Sequence, residues 1–78
     1  MRHLSRIVKW IRQNDLAGLV DFSTDQRMTE VVEGDDVRPG TYDVVTGTWA
    51  GQPIIEEYLP LGTADMLIYR LRAEGVIQ

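Results

Sequence analysis

Few side chains in this sequence could carry out acid–base or nucleophilic chemistry. His3 is the only histidine, and a position next to a chain end does not give the fixed geometry that a general base needs. Serine occurs only at Ser5 and Ser23, and neither lies in the G-x-S-x-G pattern of a nucleophile elbow. The chain has no cysteine, which excludes thiol catalysis, thiolate metal sites and disulfides. These observations predict a protein that is not an enzyme.

Paired carboxylates occur at Asp35-Asp36 and at Glu56-Glu57. Neighbouring residues of a strand point to opposite faces, so Glu56 and Glu57 cannot hold one substrate together. Asp35 and Asp36 lack the ligand spacing of a calcium-binding loop. The glycines of segment 47–51 lack the lysine that follows in a phosphate-binding loop. The sequence therefore predicts neither a bound metal nor a cofactor.

The composition is that of a small globular domain. The chain has 78 residues, of which 44% are hydrophobic and 26% are charged, and such values are not typical of disordered chains. This length supports one hydrophobic core, so we predict a single domain over residues 1–78. The apolar runs are shorter than the roughly 18 residues that a membrane-spanning helix needs. We expect a cytoplasmic protein without a membrane span.

Charge is segregated along the sequence, although the formal net charge is only −4. Residues 13–69 carry eleven acids against two arginines, whereas residues 1–12 carry only bases. These bases, at roughly helical spacing, are Arg2, Arg6, Lys9 and Arg12. Charged residues usually lie at the solvated surface, which favours the interpretation that the opposite charges of the two regions compensate each other within one fold. The alternative is a small nucleic-acid-associated regulator whose basic helix follows a phosphate backbone.

Helical periodicity marks both ends of the sequence, where apolar residues recur at i, i+3, i+4 and i+7. The N-terminal helix is expected to end at Asn14-Asp15. The C-terminal helix lies between Thr63, a favourable N-cap, and Gly75, a favourable C-terminal cap residue. The apolar positions of the two stripes are Leu4, Ile7, Val8 and Ile11, and Ala64, Leu67, Ile68 and Leu71.

Between these helices the residue types favour short strands separated by turns. The predicted strands cover residues 19–23, 28–33, 41–46 and 53–59. A turn is expected at 23–26, a reversal at 34–36 and a hairpin tip at 50–52. The 38–40 stretch is expected to be irregular, because its proline lacks a backbone donor. The last strand is expected near a sheet edge, where Pro53 is tolerated.

This order of elements predicts an α+β fold of the type α-β-β-β-(β)-α. A small antiparallel sheet of three to four strands would be flanked by an N-terminal and a C-terminal helix. Both helices must bury one apolar stripe, so we expect them to cover the same face of the sheet.

Aromatic residues near the predicted hairpin tip could anchor a protein interface. Trp49 lies beside the tip, with Tyr42 and Tyr58 on the flanking strands. Acidic residues would surround this anchor and attract a protein partner with a basic surface. These acidic residues are Asp35, Asp36, Asp43, Glu56 and Glu57. An alternative interpretation is that Trp10 and Trp49 fill the core, as aromatic residues often do in small domains.

An acidic chain without a catalytic constellation predicts a non-enzymatic protein-binding module, acting as a small inhibitor or adaptor of a larger protein assembly. Compact acidic chains of this kind are common among phage and mobile-element accessory proteins, including anti-CRISPR and other anti-defence or host-takeover proteins. A homodimer formed through the 42–59 hairpin edge or the N-terminal helix is a further expectation, because exposed strand edges invite pairing.

Overall fold

The computed structural model describes residues 2–77, with Arg2 described by its backbone alone. Within these residues the elements are α1 (Arg2–Gln13), β1 (Asp21–Glu33), β2 (Asp36–Trp49), β3 (Gln52–Pro60) and α2 (Ala64–Ala73). The strands pair antiparallel in the order β1-β2-β3. The predicted α+β fold is confirmed, with three strands among residues 2–77. No helix in this described range combines the length and apolar character needed to cross a membrane.

α1 and α2 pack on the same face of the sheet. Asp43 lies opposite Leu59 in the register, and Val45 lies opposite Glu57 on the same face. Val45 and Leu59 belong to a buried cluster that also contains residues of α1 and α2. We call this the helix-side face. The opposite face, which carries Val44, is called the open face.

The hydrophobic core lies between the helix-side face and the helices. Its central side chains, Ile11 of α1 with Leu67 and Leu71 of α2, are 0% exposed. Burying such an aliphatic side chain contributes about 2 kcal/mol, so the stripes predicted from the sequence supply much of the stability. The buried cluster consists of Ile7, Val8, Ile11, Leu16, Val20, Val45, Leu59, Ala64, Leu67, Leu71 and Val76.

The helix ends lie at the predicted cap residues. Asp15 follows α1 with φ 55°, and the Leu16 N–H donates to the Ile11 carbonyl at 3.0 Å. Gly75 follows α2 with φ 76°, and the Val76 N–H donates back to the last turn at 3.2 Å. These left-handed residues satisfy open helix carbonyls and turn the chain back into the core.

The strands are longer than predicted. The turn expected at 23–26 is wrong, because β1 runs unbroken and each of its residues faces a partner on β2. The irregular stretch expected at 38–40 is also wrong, because these residues belong to β2. β2 tolerates Pro39 because β3 does not reach this part of the strand. Pro39 lies opposite Glu30 of β1, and the other side of β2 has no strand partner here. The reversal after β1 and the edge position of β3 are confirmed.

The β1–β2 hairpin extends beyond β3. The outermost β2–β3 pair joins Tyr42 to Pro60, whereas β1–β2 pairing continues as far as Glu33 and Asp36. Residues 28–41 therefore project from the sheet as a two-stranded hairpin, which we call the β-arm. Most of its residues are exposed.

Candidate functional site

The helix-side face of the β-arm is exposed and carries mainly apolar side chains. Val32 and Val37 lie directly opposite each other, and Met28 lies on the same face, with the charged Glu30 between Met28 and Val32. The exposed fractions of Met28, Val32 and Val37 are 84%, 66% and 54%. Pro39, also exposed, continues this apolar surface. Large apolar side chains that are exposed together on one face are typical of an interaction surface.

The open face of the β-arm carries charged side chains that form ion pairs with one another. The Arg38 guanidinium lies 4.0 Å from the Glu33 carboxylate and 3.9 Å from the Asp36 carboxylate. The Tyr42 hydroxyl donates to the Arg38 carbonyl at 2.7 Å, and its ring lies beside Gly40. The β-arm is therefore amphipathic: apart from Val31, which lies opposite Arg38 on the open face, its apolar side chains lie on the face that lacks these polar contacts.

The turn of the β-arm is acidic. Asp35 lies in the turn, and Glu33 and Asp36 flank it on the two strands. Asp35 and Asp36, predicted to attract a basic partner, are both exposed. The structure places them at the end of the apolar face of the β-arm.

Trp49 lies far from this acidic turn. It is the last residue of β2 and is 45% exposed, whereas Asp36 is the first residue of the same strand. Thirteen residue steps of extended backbone, each about 3.3 Å long, separate the two residues along β2. The expectation that Asp35 and Asp36 surround Trp49 is therefore wrong.

Tyr58 and Glu56 belong to a polar cluster on the open face. Arg27 of β1 donates to the Tyr58 hydroxyl at 2.8 Å, and its guanidinium carbon lies 5.8 Å from the ring centre. The Tyr58 hydroxyl in turn donates to the Glu56 carboxylate at 2.8 Å. Arg27 must cross β2 to make this contact, and Val44 of β2 is 0% exposed. The cluster thus covers Val44 and contributes to the fold.

Asp43 faces α2 and is not available as an exposed acid. Its residue is 6% exposed, and its carboxylate accepts the N–H groups of Gly62 and Ala64, each at 2.9 Å. Thr63 occupies the predicted N-cap position but makes no capping hydrogen bond with its side chain. Asp43 therefore supplies the missing acceptor from a neighbouring strand.

Glu57 holds the first turns of α1 against the sheet. Its carboxylate accepts hydrogen bonds from the Arg6 guanidinium and from His3 Nδ1, the latter at 2.9 Å. The Glu57 side chain is 12% exposed, whereas that of Arg6 is 65% exposed. This side of Glu57 faces the helix, so Glu57 does not border an open partner surface with Glu56.

Replacing Glu57 by glutamine is expected to loosen the first turns of α1. Loss of the carboxylate charge weakens both contacts, and partial solvent screening of Arg6 keeps the cost near 1 kcal/mol. Hydrogen exchange should speed up in α1 but remain unchanged after Glu30→Gln, a matched change on the exposed β-arm. Equal exchange in the two variants would show that the Glu57 contacts do not hold α1.

The other basic residues of α1 are partly compensated within the fold. Arg12 donates to the Glu74 carbonyl at 3.1 Å and lies 3.4 Å from its carboxylate. Lys9 is exposed, and the Arg2 side chain lies outside the described part of the chain. Arg6 pairs with Glu57 and Arg12 pairs with Glu74, so part of the basic charge of α1 is compensated within the fold.

Trp10 lines a groove between α1 and β3. The groove has a volume of 260 Å³ and is also lined by Ile7, Ile54 and Ile55. Trp10 is 38% exposed, and neither it nor Trp49 belongs to the buried cluster. The interpretation that the tryptophans fill the core is therefore wrong.

The side chains considered for acid–base or nucleophilic chemistry do not form one cluster in the structure. Ser5 lies on α1 and Ser23 on β1, while His3 contacts Glu57. Among residues 2–77, no group of three or more histidine, aspartate and glutamate side chains is placed to hold a metal ion.

No protein-family model, curated protein or solved structure matches this chain. Its class is therefore defined by the fold and the site described above. The chain is an α+β domain whose antiparallel sheet continues into an amphipathic β-arm.

The apolar residues of the β-arm were not among the sites predicted from the sequence. Their signal in the sequence is weak, because residues 28–32 do not alternate between apolar and polar types. Val37, placed just after the reversal, is the clearest mark of this face. Recognising it required the pairing of Val32 with Val37 and the shorter length of β3.

Proposed function

We propose that this chain is a non-enzymatic protein-binding module whose contact surface is the helix-side face of the β-arm. The observation that carries this proposal is the joint exposure of Met28, Val32 and Val37 on one face. Burying these side chains in an interface contributes about 1–2 kcal/mol each. A projecting hairpin also enters a cleft that a flat surface cannot reach.

The charge of the β-arm defines the chemistry of the partner. Glu33, Asp35 and Asp36 lie at its tip, beyond the apolar side chains. A matching partner carries an apolar cleft with basic groups at its deep end, because opposite charge speeds association and fixes orientation. Trp49 and Tyr42 would contact such a partner only if it also covered the open face and the far end of β2.

A module of this kind acts as a small inhibitor or adaptor. A two-stranded hairpin is only marginally stable by itself, so partner binding along one face would order the β-arm and occupy the cleft of a larger assembly. This action suits a phage or mobile-element accessory protein that blocks a host assembly in the cytoplasm, where a chain without cysteine needs no oxidising compartment.

The double substitution Val32→Thr and Val37→Thr tests the proposed surface. Threonine keeps the β-branched shape, so the fold should persist, but each hydroxyl buried without a partner weakens binding. We expect at least about tenfold weaker affinity for the partner. The measurement is capture of the partner by the tagged full chain from lysate of the cells that encode it, followed by calorimetry with the purified partner.

Leu19→Thr with Leu61→Thr is the matched control, because these side chains are 56% and 54% exposed but lie outside the β-arm. The control variant should bind as the unchanged chain does. Equal loss in the two double variants would refute the β-arm as the contact surface. Capture of nucleic acid that Lys9→Glu abolishes would replace the proposal with the nucleic-acid regulator.

A further inference from the structure

We propose that the free edge of β1 pairs with β1 of a second copy of this chain, forming a two-fold symmetric dimer. β1 lies at the end of the sheet order within residues 2–77, and its outer edge has no strand partner in that range. Its residues are mostly exposed along the full length. Such an edge offers a row of backbone donors and acceptors to another strand.

Symmetry restricts the ways in which two β1 strands can pair. A two-fold axis perpendicular to the sheet keeps each face on its own side, so even-numbered residues lie opposite even-numbered residues and odd opposite odd. Centring the axis on Glu30 places Arg27 opposite Glu33 of the second copy. The same register places Met28 opposite Val32, and each pair occurs twice in the dimer.

This register matches the chemistry of the two strands. On the open face Arg27 lies opposite Glu33, and within one chain these side chains also contact Tyr58 and Arg38, respectively. On the helix-side face Met28 lies opposite Val32, and both kinds of pair are favourable across strands. Centring on Thr29 instead would place Met28 opposite Glu30, and centring on Val31 would place Val32 opposite Glu30. The register centred on Glu30 has one unfavourable feature, the contact between the two central glutamates.

The proposed pairing has a simple geometry. It covers residues 27–33, so the tip of each β-arm reaches the base of the other and the helical bodies lie at opposite ends. The apolar faces of the two β-arms become adjacent on one side of a continuous sheet. An overlap of this size is below that of standard protein interfaces, so the dimer is expected to dissociate in the micromolar range.

This inference goes beyond the proposed function, because it uses the edge of β1 rather than the face of the β-arm. Sedimentation of the full chain alone, over about 1–500 µM, measures the dimer without any partner. If the chain dimerises but captures no partner, the proposed function fails and this inference stands. If the chain is monomeric but captures a partner, this inference fails and the proposed function stands.

Charge substitutions on β1 provide the decisive measurement. Glu33→Arg should weaken the dimer about fivefold, because two favourable pairs become repulsive. Glu30→Thr should strengthen it severalfold by removing the central repulsion. Asp21→Arg, a matched charge reversal on β1 outside the overlap, should change the dimer constant little.

The double variant Arg27→Glu with Glu33→Arg exchanges the two charges of the pair and should restore the dimer. A monomer over the whole concentration range, no restoration in a folded exchange variant, or an equal effect of Asp21→Arg would overturn the inference. Arg27 also contacts Tyr58, so circular dichroism must show that the exchange variant folds. If it does not fold, the opposite effects expected for Glu33→Arg and Glu30→Thr decide the question.

Discussion

Replacing Asp43 by alanine is expected to lower the free energy of unfolding by about 3 kcal/mol, the largest single effect we foresee. The substitution leaves the N–H groups of Gly62 and Ala64 without the acceptor that they share. Ala64 is only 4% exposed whereas Gly62 is exposed, so water can replace the carboxylate less easily at the Ala64 N–H than at the Gly62 N–H. Hydrogen bonds to a charged, buried group contribute about 1.5–3 kcal/mol, and the favourable contact with the start of α2 is lost as well.

Urea denaturation followed by circular dichroism measures this effect. Asp43→Asn keeps an acceptor oxygen but not the charge, so its cost should be about 1 kcal/mol. Asp65→Ala is the matched control, since Asp65 lies in the first turn of α2 but is exposed, and its cost should be about 0.5 kcal/mol. If Asp43→Ala costs no more than Asp65→Ala, Asp43 does not cap α2.

Replacing Gly47 by alanine is expected to cost about 2 kcal/mol. A β-carbon at this position would lie 3.0 Å from Val20 Cγ1 and 3.1 Å from both Phe22 Cε1 and Ile55 Cβ. The Ile55 contact is close to the backbone and cannot move away by a rotamer change. Inserting a methyl group into such a tightly packed place forces backbone shifts that destabilise a domain.

Gly40→Ala in the same strand is the matched control and should have the opposite sign. A β-carbon at position 40 would lie 3.7 Å from the Tyr42 ring, an ordinary van der Waals contact. Alanine restricts the unfolded chain, so this variant should be more stable by about 0.5 kcal/mol. Thermal and urea unfolding of the two variants will test the contrast, which would be contradicted by equal midpoints.

These stability predictions also separate fold from partner binding. Asp43 was expected among the acids of the partner surface, yet its carboxylate is buried against α2. A change at Asp43 should therefore alter binding only as far as it unfolds the chain. A change at Val37, which is exposed on the β-arm, should alter binding and leave unfolding nearly unchanged.

The helices and the reversal after β1 could be predicted from the sequence because local interactions specify them. The apolar spacing of α1 and α2, the left-handed residues Asp15 and Gly75, and the reversal at 34–35 all depend on residues within one or two turns of chain. The length of β1 could not be predicted in this way. The turn-forming types at 23–26 are held in a strand by their partners on β2, which lie about 20 residues further along the chain.

The amino-acid sequence by itself determined the element order, the apolar stripes of the core and the acidic character of the chain. Only the tertiary structure decided which acids are exposed. Asp36 and Asp43 lie on the same strand, but Asp36 is exposed to solvent whereas the Asp43 carboxylate contacts the start of α2. Only the structure showed the β-arm, which exists because β3 ends before the β1–β2 hairpin does. The physical reason is that burial and strand pairing depend on contacts between distant residues, whereas periodicity and capping depend on neighbours.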